Sequence, residues 1–173
     1  SIDFGYRMCA VGWFQTYRVN GQWHINMIDE IIHQTNIKTD ELAKIIKSKR
    51  YQTVKYYGDP AGLQAQGQSG VGDIENGILV NTITDKPSRS ISAGINHVRS
   101  FIENANGDRY LHLNNNCMGM AEDLEGYRYP EAQDGKPLKQ EPIKDGYHDH
   151  ACDMLRYFFI NHFPIKNKQI KVR

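Results

Sequence analysis

The chain has 173 residues and a formal net charge of +1, from 21 Lys and Arg against 20 Asp and Glu. This length suits one domain with a hydrophobic core. The balanced charge excludes a wholly basic arm and an acidic tail. The longest apolar stretches are short runs such as Phe158-Phe159-Ile160, which excludes a transmembrane helix. Only three cysteines occur, and they are widely spaced, which favours a reducing compartment over a disulfide framework.

The first third of the chain predicts an antiparallel meander of three strands. Residues 1–5 have strand character, Ala10–Val19 is rich in aromatic and β-branched residues, and Trp23–His33 alternates well enough for a return strand. Asn20-Gly21 lies between the last two strands and is the strongest short signal for a two-residue hairpin turn.

The remaining two thirds alternate helices and strands. The predicted elements are a helix with Thr39 as N-cap ending at Lys49, a strand Thr53–Tyr57, a loop 61–72, a strand Ile78–Ile83, a helix Ser90–Asn104, a strand Arg109–Leu113, a helix Met118–Leu124, an exposed hairpin over 127–144 around Asp134-Gly135, and a helix His148–Phe163 before Pro164. This order predicts a mixed α/β domain with a central sheet and helices on both faces.

Three carboxylates occupy positions that could converge. Asp3 lies in the first strand, Asp59 directly follows the strand Thr53–Tyr57, and Asp153 lies in the last helix. Strand ends and an adjacent helix can meet at one rim of such a sheet. Carboxylates gathered there repel one another unless a cation neutralises them, and hard oxygen ligands suit Mg²⁺ or Mn²⁺.

Each carboxylate also has a simpler interpretation. Asp3 could end a strand, and Asp59 before Pro60 is a common turn pair. Asp153 has mostly core-like neighbours, so a buried carboxylate there needs a partner. A structural salt bridge, with Arg156 as the candidate, is the alternative to a metal ligand.

The start of the last helix concentrates ionisable residues. Asp149, His150 and Asp153 stand at i, i+1 and i+4, so the two carboxylates share a face and the imidazole flanks it. This grouping suits a metal or proton-transfer site, while Asp149 could also cap the helix. The sequence contains no GxSxG, HExxH or GxxxxGK[ST] motif.

Three blocks together resemble the C-terminal nuclease domain of the large terminase subunit of tailed bacteriophages: IDFGY, YYGDPAG followed by SGVGDIENGI, and HDHACDMLRYFF. The resemblance implies a ribonuclease H-like fold related to RuvC resolvases, in which three antiparallel strands precede parallel strands, helices cover both faces and a β-hairpin is added. It also implies that residues 1–173 form a single nuclease domain from a longer chain with an N-terminal ATPase domain.

The resemblance assigns roles to individual residues. It implies that Asp3, Asp59 and Asp153 bind metal and act in catalysis, that His150 accompanies them, and that Asp149 is an acidic position found in part of the family. The expected cofactors are two divalent ions, Mg²⁺ or Mn²⁺, which hydrolyse phosphodiester bonds by a two-metal mechanism.

The expected partner is double-stranded DNA, contacted mainly through phosphate. Candidate contacts are the basic residues Arg7, Lys86, Arg89, Lys136, Lys139 and Lys144, although each taken singly also fits a solvated surface role. The portal, the small terminase subunit and the host bacterial cytoplasm follow from the resemblance. A RuvC-like junction resolvase and a non-catalytic DNA-binding or docking module are the alternatives.

Overall fold

The structure is a computed structural model that describes residues 1–4, 8–52, 55–58, 82–83, 90–131 and 141–165. Its elements are β1 Ile2–Asp3, β2 Met8–Val19, β3 Gln22–Thr35, α1 Thr39–Ser48, β4 Tyr56–Tyr57, β5 Thr82–Ile83, α2 Ile91–Ile102, β6 Leu111–Leu113, α3 Met118–Gly126 and α4 His148–His162. Among these residues, no helix is long and apolar enough to cross a membrane.

The central sheet combines antiparallel and parallel strands. β2 pairs antiparallel with both β1 and β3, and β6 then pairs parallel with β3, which gives the order β1-β2-β3-β6. β4 and β5 form a parallel pair. A parallel bridge between Ile2 and Gly58 brings the end of β4 beside β1. The predicted meander is confirmed, and parallel strands follow it as expected.

The turn between β2 and β3 has the predicted geometry. Val19 pairs with Gln22, which leaves Asn20 and Gly21 as a two-residue loop. Both loop residues have positive φ, 50° and 80°, as a type I′ turn requires. This turn matches the twist of the flanking strands and fixes the register of the longest pairing in the sheet.

Alternation along β2 and β3 divides the core between the two faces of the sheet. On one face, Leu42 and Ile46 of α1 pack with a cluster that includes Val11 and Ile31. The opposite face carries the larger cluster, whose buried members include Ala10, Ile25, Met27, Val98, Met120, Leu155, Phe158 and Phe159. α1 therefore covers one face, and α2, α3 and α4 cover the other, which confirms the predicted layering.

Element boundaries differ from the predictions at a few points. α1 begins at Thr39 itself, and Lys38 stands at the N-cap without a side-chain capping bond, so the predicted Thr39 cap is wrong. Asp40 and Glu41 instead place negative charge in the first turn, where it interacts favourably with the helix dipole and stabilises the helix. Ser90 does cap α2, because its hydroxyl accepts a hydrogen bond from the Ala93 N–H. The predicted loop 61–72 and the Asp134-Gly135 turn lie outside the described residues.

Candidate active site

Helix α4 supplies most of the candidate site from a deeply buried position. Leu155, Phe158 and Phe159 anchor its second half in the larger core, and Phe158 stacks on Phe14 of β2 with ring centroids 4.1 Å apart. Asp149 and Asp153 are nevertheless also buried, at 7% and 5% exposure. Carboxylates held this far from water need charged or hydrogen-bonding partners.

Asp3 and His150 meet between the first strand and the last helix. Nδ1 of His150 donates to Oδ2 of Asp3 across 2.8 Å, and Asp3 is only 6% exposed. This hydrogen bond raises the pKa of His150, although burial of the imidazole acts in the opposite direction. The contact with Asp3 therefore favours the protonated form of the imidazole.

Asp153 is bound by two cationic side chains, one on each of its oxygens. Nη2 and Nε of Arg156 donate to Oδ1 across 2.9 and 3.2 Å. Nζ of Lys144 donates to Oδ2 across 3.3 Å. The charge of Asp153 raises the pKa of Lys144, and burial opposes it to a smaller extent. The salt bridge with Arg156 considered from the sequence is present.

Two carboxylates, Asp145 and Asp149, accept backbone hydrogen bonds around the start of α4. Oδ1 of Asp145 accepts hydrogen bonds from the N–H groups of Tyr147 and His148, each across 2.9 Å. Asp149, in the first turn, accepts one from the Gly146 N–H across 2.7 Å. Gly146 has φ of +74°, a conformation that strongly favours glycine. Asp149 therefore places negative charge in the first turn and bonds the chain before the helix, while Asp145 bonds the N–H groups at the helix start.

The structure locates part of the predicted site. Asp3, Asp149, His150 and Asp153 lie at the end of β1 and along the first half of α4. Asp59 lies outside the described residues, although Gly58, which precedes it in the chain, is bridged to Ile2 beside Asp3. Within the part of the chain that is described, no group of three His, Cys, Asp or Glu side chains is arranged to hold a metal ion.

Of the predicted DNA contacts, the structure describes Lys144 alone. Its ammonium lies against Asp153, and its side chain is 60% exposed. The remaining five basic residues fall outside the described ranges: Arg7, Lys86, Arg89, Lys136 and Lys139. Their role in DNA binding stays a prediction.

A second polar cluster beside α4 was not predicted. Tyr147 stacks on His33 with centroids 4.1 Å apart, and its hydroxyl lies 3.1 Å from Nδ1 of His33. Nε2 of the same imidazole donates to Oδ1 of Asp123 across 2.8 Å. Asp123 is fully buried, and its Oδ2 has no hydrogen-bond partner among the described atoms. Burial raises the pKa of Asp123, and the His33 hydrogen bond opposes it.

One sequence signal could have indicated this cluster. Asp123 stands three residues after Met120 and directly before Leu124, so a helix over this segment places the carboxylate on its apolar face. A buried carboxylate on such a face needs a partner from another element. His33, which has φ of +61° at the end of β3, supplies it.

The sheet topology and the layering of helices on both faces give a mixed α/β domain of the ribonuclease H-like class. Comparison with solved structures narrows the resemblance to the nuclease domains of phage large terminases. The nuclease domain of the g2p large terminase from bacteriophage SPP1, solved with bound Mn, has a TM-score of 0.62 and 14% sequence identity, over 93% of this chain and 84% of that chain.

The large terminase of a thermophilic bacteriophage, solved in complex with ADP, gives the same TM-score of 0.62 at 20% identity. This match covers 92% of the present chain but only 38% of that larger protein. No protein-family model and no curated protein matches the sequence. At these identities the comparisons establish the fold, and the expected resemblance to the terminase nuclease domain is confirmed at that level.

Proposed function

We propose that this chain is a metal-dependent DNA endonuclease, the nuclease domain of a phage packaging terminase that cuts concatemeric double-stranded viral DNA. One observation carries the proposal. Two buried carboxylates, Asp3 and Asp153, lie on the first strand and the last helix of a fold shared with a Mn-bound terminase nuclease domain, and each has a cationic partner. Buried acids with exchangeable positive partners are suited to binding cations.

The donor set fits hard divalent ions. Asp3, Asp149 and Asp153 offer carboxylate oxygens, which are the ligands that Mg²⁺ and Mn²⁺ prefer. Asp59 is the proposed further ligand, because it follows Gly58, and Gly58 is bridged to the residue before Asp3. When bound, two such ions would activate water for attack on the phosphodiester and stabilise the leaving oxygen.

The chain's own residues prepare this site. His150 holds a proton against Oδ2 of Asp3, and it can give up that proton when a cation takes over the carboxylate. Arg156 fixes Oδ1 of Asp153, which orients the remaining oxygen. Because α4 is anchored by the aromatic core around Phe158, both groups sit on a rigid element, as a precise catalytic geometry requires.

DNA binding and assembly belong to the same proposal. The basic residues named from the sequence would contact phosphates without reading bases. The match to 38% of the ADP-bound terminase from the thermophilic phage supports a chain in which an ATPase domain accompanies this nuclease domain. Contacts with the portal and the small subunit, in the bacterial cytoplasm, complete the proposed setting.

The test is plasmid cleavage by the 173-residue chain in Mn²⁺, Mg²⁺ or EDTA. We expect nicked and linear products with either metal, none in EDTA, and none from Asp3→Asn. Asp40→Asn is the matched control, because Asp40 is an exposed carboxylate paired with Lys44 on α1. Cleavage that persists in EDTA would contradict the proposal, DNA binding without cleavage would indicate a non-catalytic module, and a strong preference for four-way junctions would indicate a resolvase.

A further inference from the structure

The two oxygens of Asp153 are bound by cations of very different character. Arg156, which holds Oδ1, is 6% exposed and belongs to the same helix. Lys144, which holds Oδ2, belongs to the non-helical segment before α4, and its side chain is 60% exposed. One partner is therefore fixed within the protein, and the other can exchange with solvent.

Several contacts immobilise Arg156. Its guanidinium carbon lies 4.7 Å from the ring centroid of Tyr157, and its aliphatic stem packs against Gly94 of α2. A Cβ at Gly94 would lie 2.9 Å from Cδ of Arg156, so the stem that carries the guanidinium is closely packed. Oδ1 of Asp153 is consequently committed to Arg156, and Oδ2 is the oxygen that can accept a different cation.

Lys144 makes a weaker contact with that second oxygen. Its Nζ–Oδ2 distance of 3.3 Å exceeds the ~2.7–2.9 Å of strong charge-assisted hydrogen bonds. An exposed lysine also loses side-chain entropy when it is held, and exposed ion pairs contribute little net stability. The contact satisfies the buried carboxylate at low cost, and a stronger cation can displace it.

We infer that Lys144 occupies the cation position at Oδ2 of Asp153, and that a divalent ion must displace it in order to bind there. This inference rests on the proposed metal-dependent function and deepens it. An ammonium and a divalent ion cannot both lie against one carboxylate oxygen, because like charges at that separation repel strongly. Metal binding would then release Lys144 to the surface, where DNA phosphate is an available partner.

The experiment is calorimetric titration of Mn²⁺ into DNA-free protein. We expect Lys144→Gln to bind Mn²⁺ roughly fivefold more tightly than wild type, because that ratio corresponds to the free energy of one partly exposed ion pair. Lys44→Gln is the matched control, since it removes one positive charge from an exposed pair with Asp40 on α1. It should leave the dissociation constant unchanged, which separates a local effect from the change in net charge.

A second variant keeps the test valid if Lys144→Gln does not fold. Lys144→Arg retains the charge and offers a bidentate donor, so it should compete better and weaken Mn²⁺ binding. Equal or weaker Mn²⁺ binding by folded Lys144→Gln, or unchanged binding by Lys144→Arg, would overturn the inference. If wild type binds no Mn²⁺ at all, the proposed function itself fails, and that outcome is distinct from a mere absence of competition.

Discussion

His150 and Asp3 are 147 positions apart in sequence, and their side chains lie 2.8 Å apart in the structure. This contact joins the first strand to the last helix at the end of β1, where the antiparallel meander meets the strand that precedes Gly58. The pair is therefore built only when the whole domain is folded. It ties the protonation of an imidazole to the charge of a carboxylate that we propose as a metal ligand.

Asp3→Asn should lower the pKa of His150 toward its ordinary value. The hydrogen bond to Asp3 is the largest influence on this imidazole, and burial, which remains in the variant, favours the neutral form. The measurement is an NMR titration of the His150 ring in metal-free protein. Asp40→Asn, on the surface of α1, should leave the titration unchanged. An unaltered pKa in Asp3→Asn would show that the contact does not persist in solution.

His162 should make the domain less stable in mild acid. Burial lowers the pKa of His162, and the charge of Lys55 adds to the effect. A histidine whose pKa is lowered on folding contributes stability above the unfolded value of ~6.5, and that stability is lost as the pH falls below it. Protonation at Nδ1 would also remove the acceptor for the Tyr57 hydroxyl, 2.8 Å away.

The comparison is the melting temperature of wild type and His162→Gln between about pH 8 and pH 5.5, a window that spans the ordinary histidine pKa. We expect the melting temperature to fall less across this window in the variant than in wild type. Raised pKa values at His148 and His150 act in the opposite direction, which is why the difference between proteins is the informative quantity. His24→Gln, at the surface of β3, serves as control. If the variant loses as much stability as wild type, protonation of His162 does not cause the loss in acid.

Gly94→Ala should disturb the site without changing any charged residue. The new methyl would lie 2.9 Å from Cδ of Arg156, so the Arg156 side chain must move or the helices must separate. Overpacking of this kind costs about 1–3 kcal/mol, partly offset by the better helix propensity of alanine. We expect a lower melting temperature and weaker Mn²⁺ binding. Asn96→Ala, exposed on the same helix, should change neither.

Local sequence signals were sufficient for most of the fold. Alternating apolar residues, the Asn20-Gly21 turn and the apolar stripes of α2 and α4 predicted elements within a few residues of those observed. The sequence did not indicate the parallel pairing of β6 with β3, because strand partners depend on contacts between distant residues. The predicted N-cap at Thr39 was wrong by one residue, because sequence patterns define the ends of helices less well than their centres.

The candidate site was less accessible from sequence. Position singled out Asp3 and Asp153, spacing placed Asp149 and His150 beside Asp153, and the resemblance then assigned their roles. The partners of these groups come from elsewhere in three dimensions, as Lys144 at Asp153 shows. Lys144 was predicted to contact DNA, since an isolated lysine in a polar segment carries no sign of which carboxylate it approaches.

Asp153→Asn should lower the stability of the metal-free domain and abolish its response to Mn²⁺. The substitution preserves the shape of the side chain but leaves the guanidinium of Arg156 buried without its counter-charge. Hydrogen bonds to charged groups contribute ~1.5–3 kcal/mol, so we expect a loss of about 2 kcal/mol. In a domain of this size that corresponds to a melting temperature roughly 4–8 °C lower. The substitution relieves little repulsion among the acids, because Arg156 and Lys144 already neutralise Asp153.

The same variant separates the structural role of Asp153 from its proposed catalytic one. Melting curves with and without Mn²⁺ measure metal binding directly, because a ligand of the folded state raises the melting temperature. Plasmid cleavage on the same samples then reports activity. A wild-type rise in melting temperature that disappears in Asp153→Asn, together with loss of cleavage, supports a metal ligand. If the variant is destabilised but still responds to Mn²⁺ and still cuts DNA, the role of Asp153 is only the structural ion pair with Arg156. That outcome would weaken the nuclease proposal.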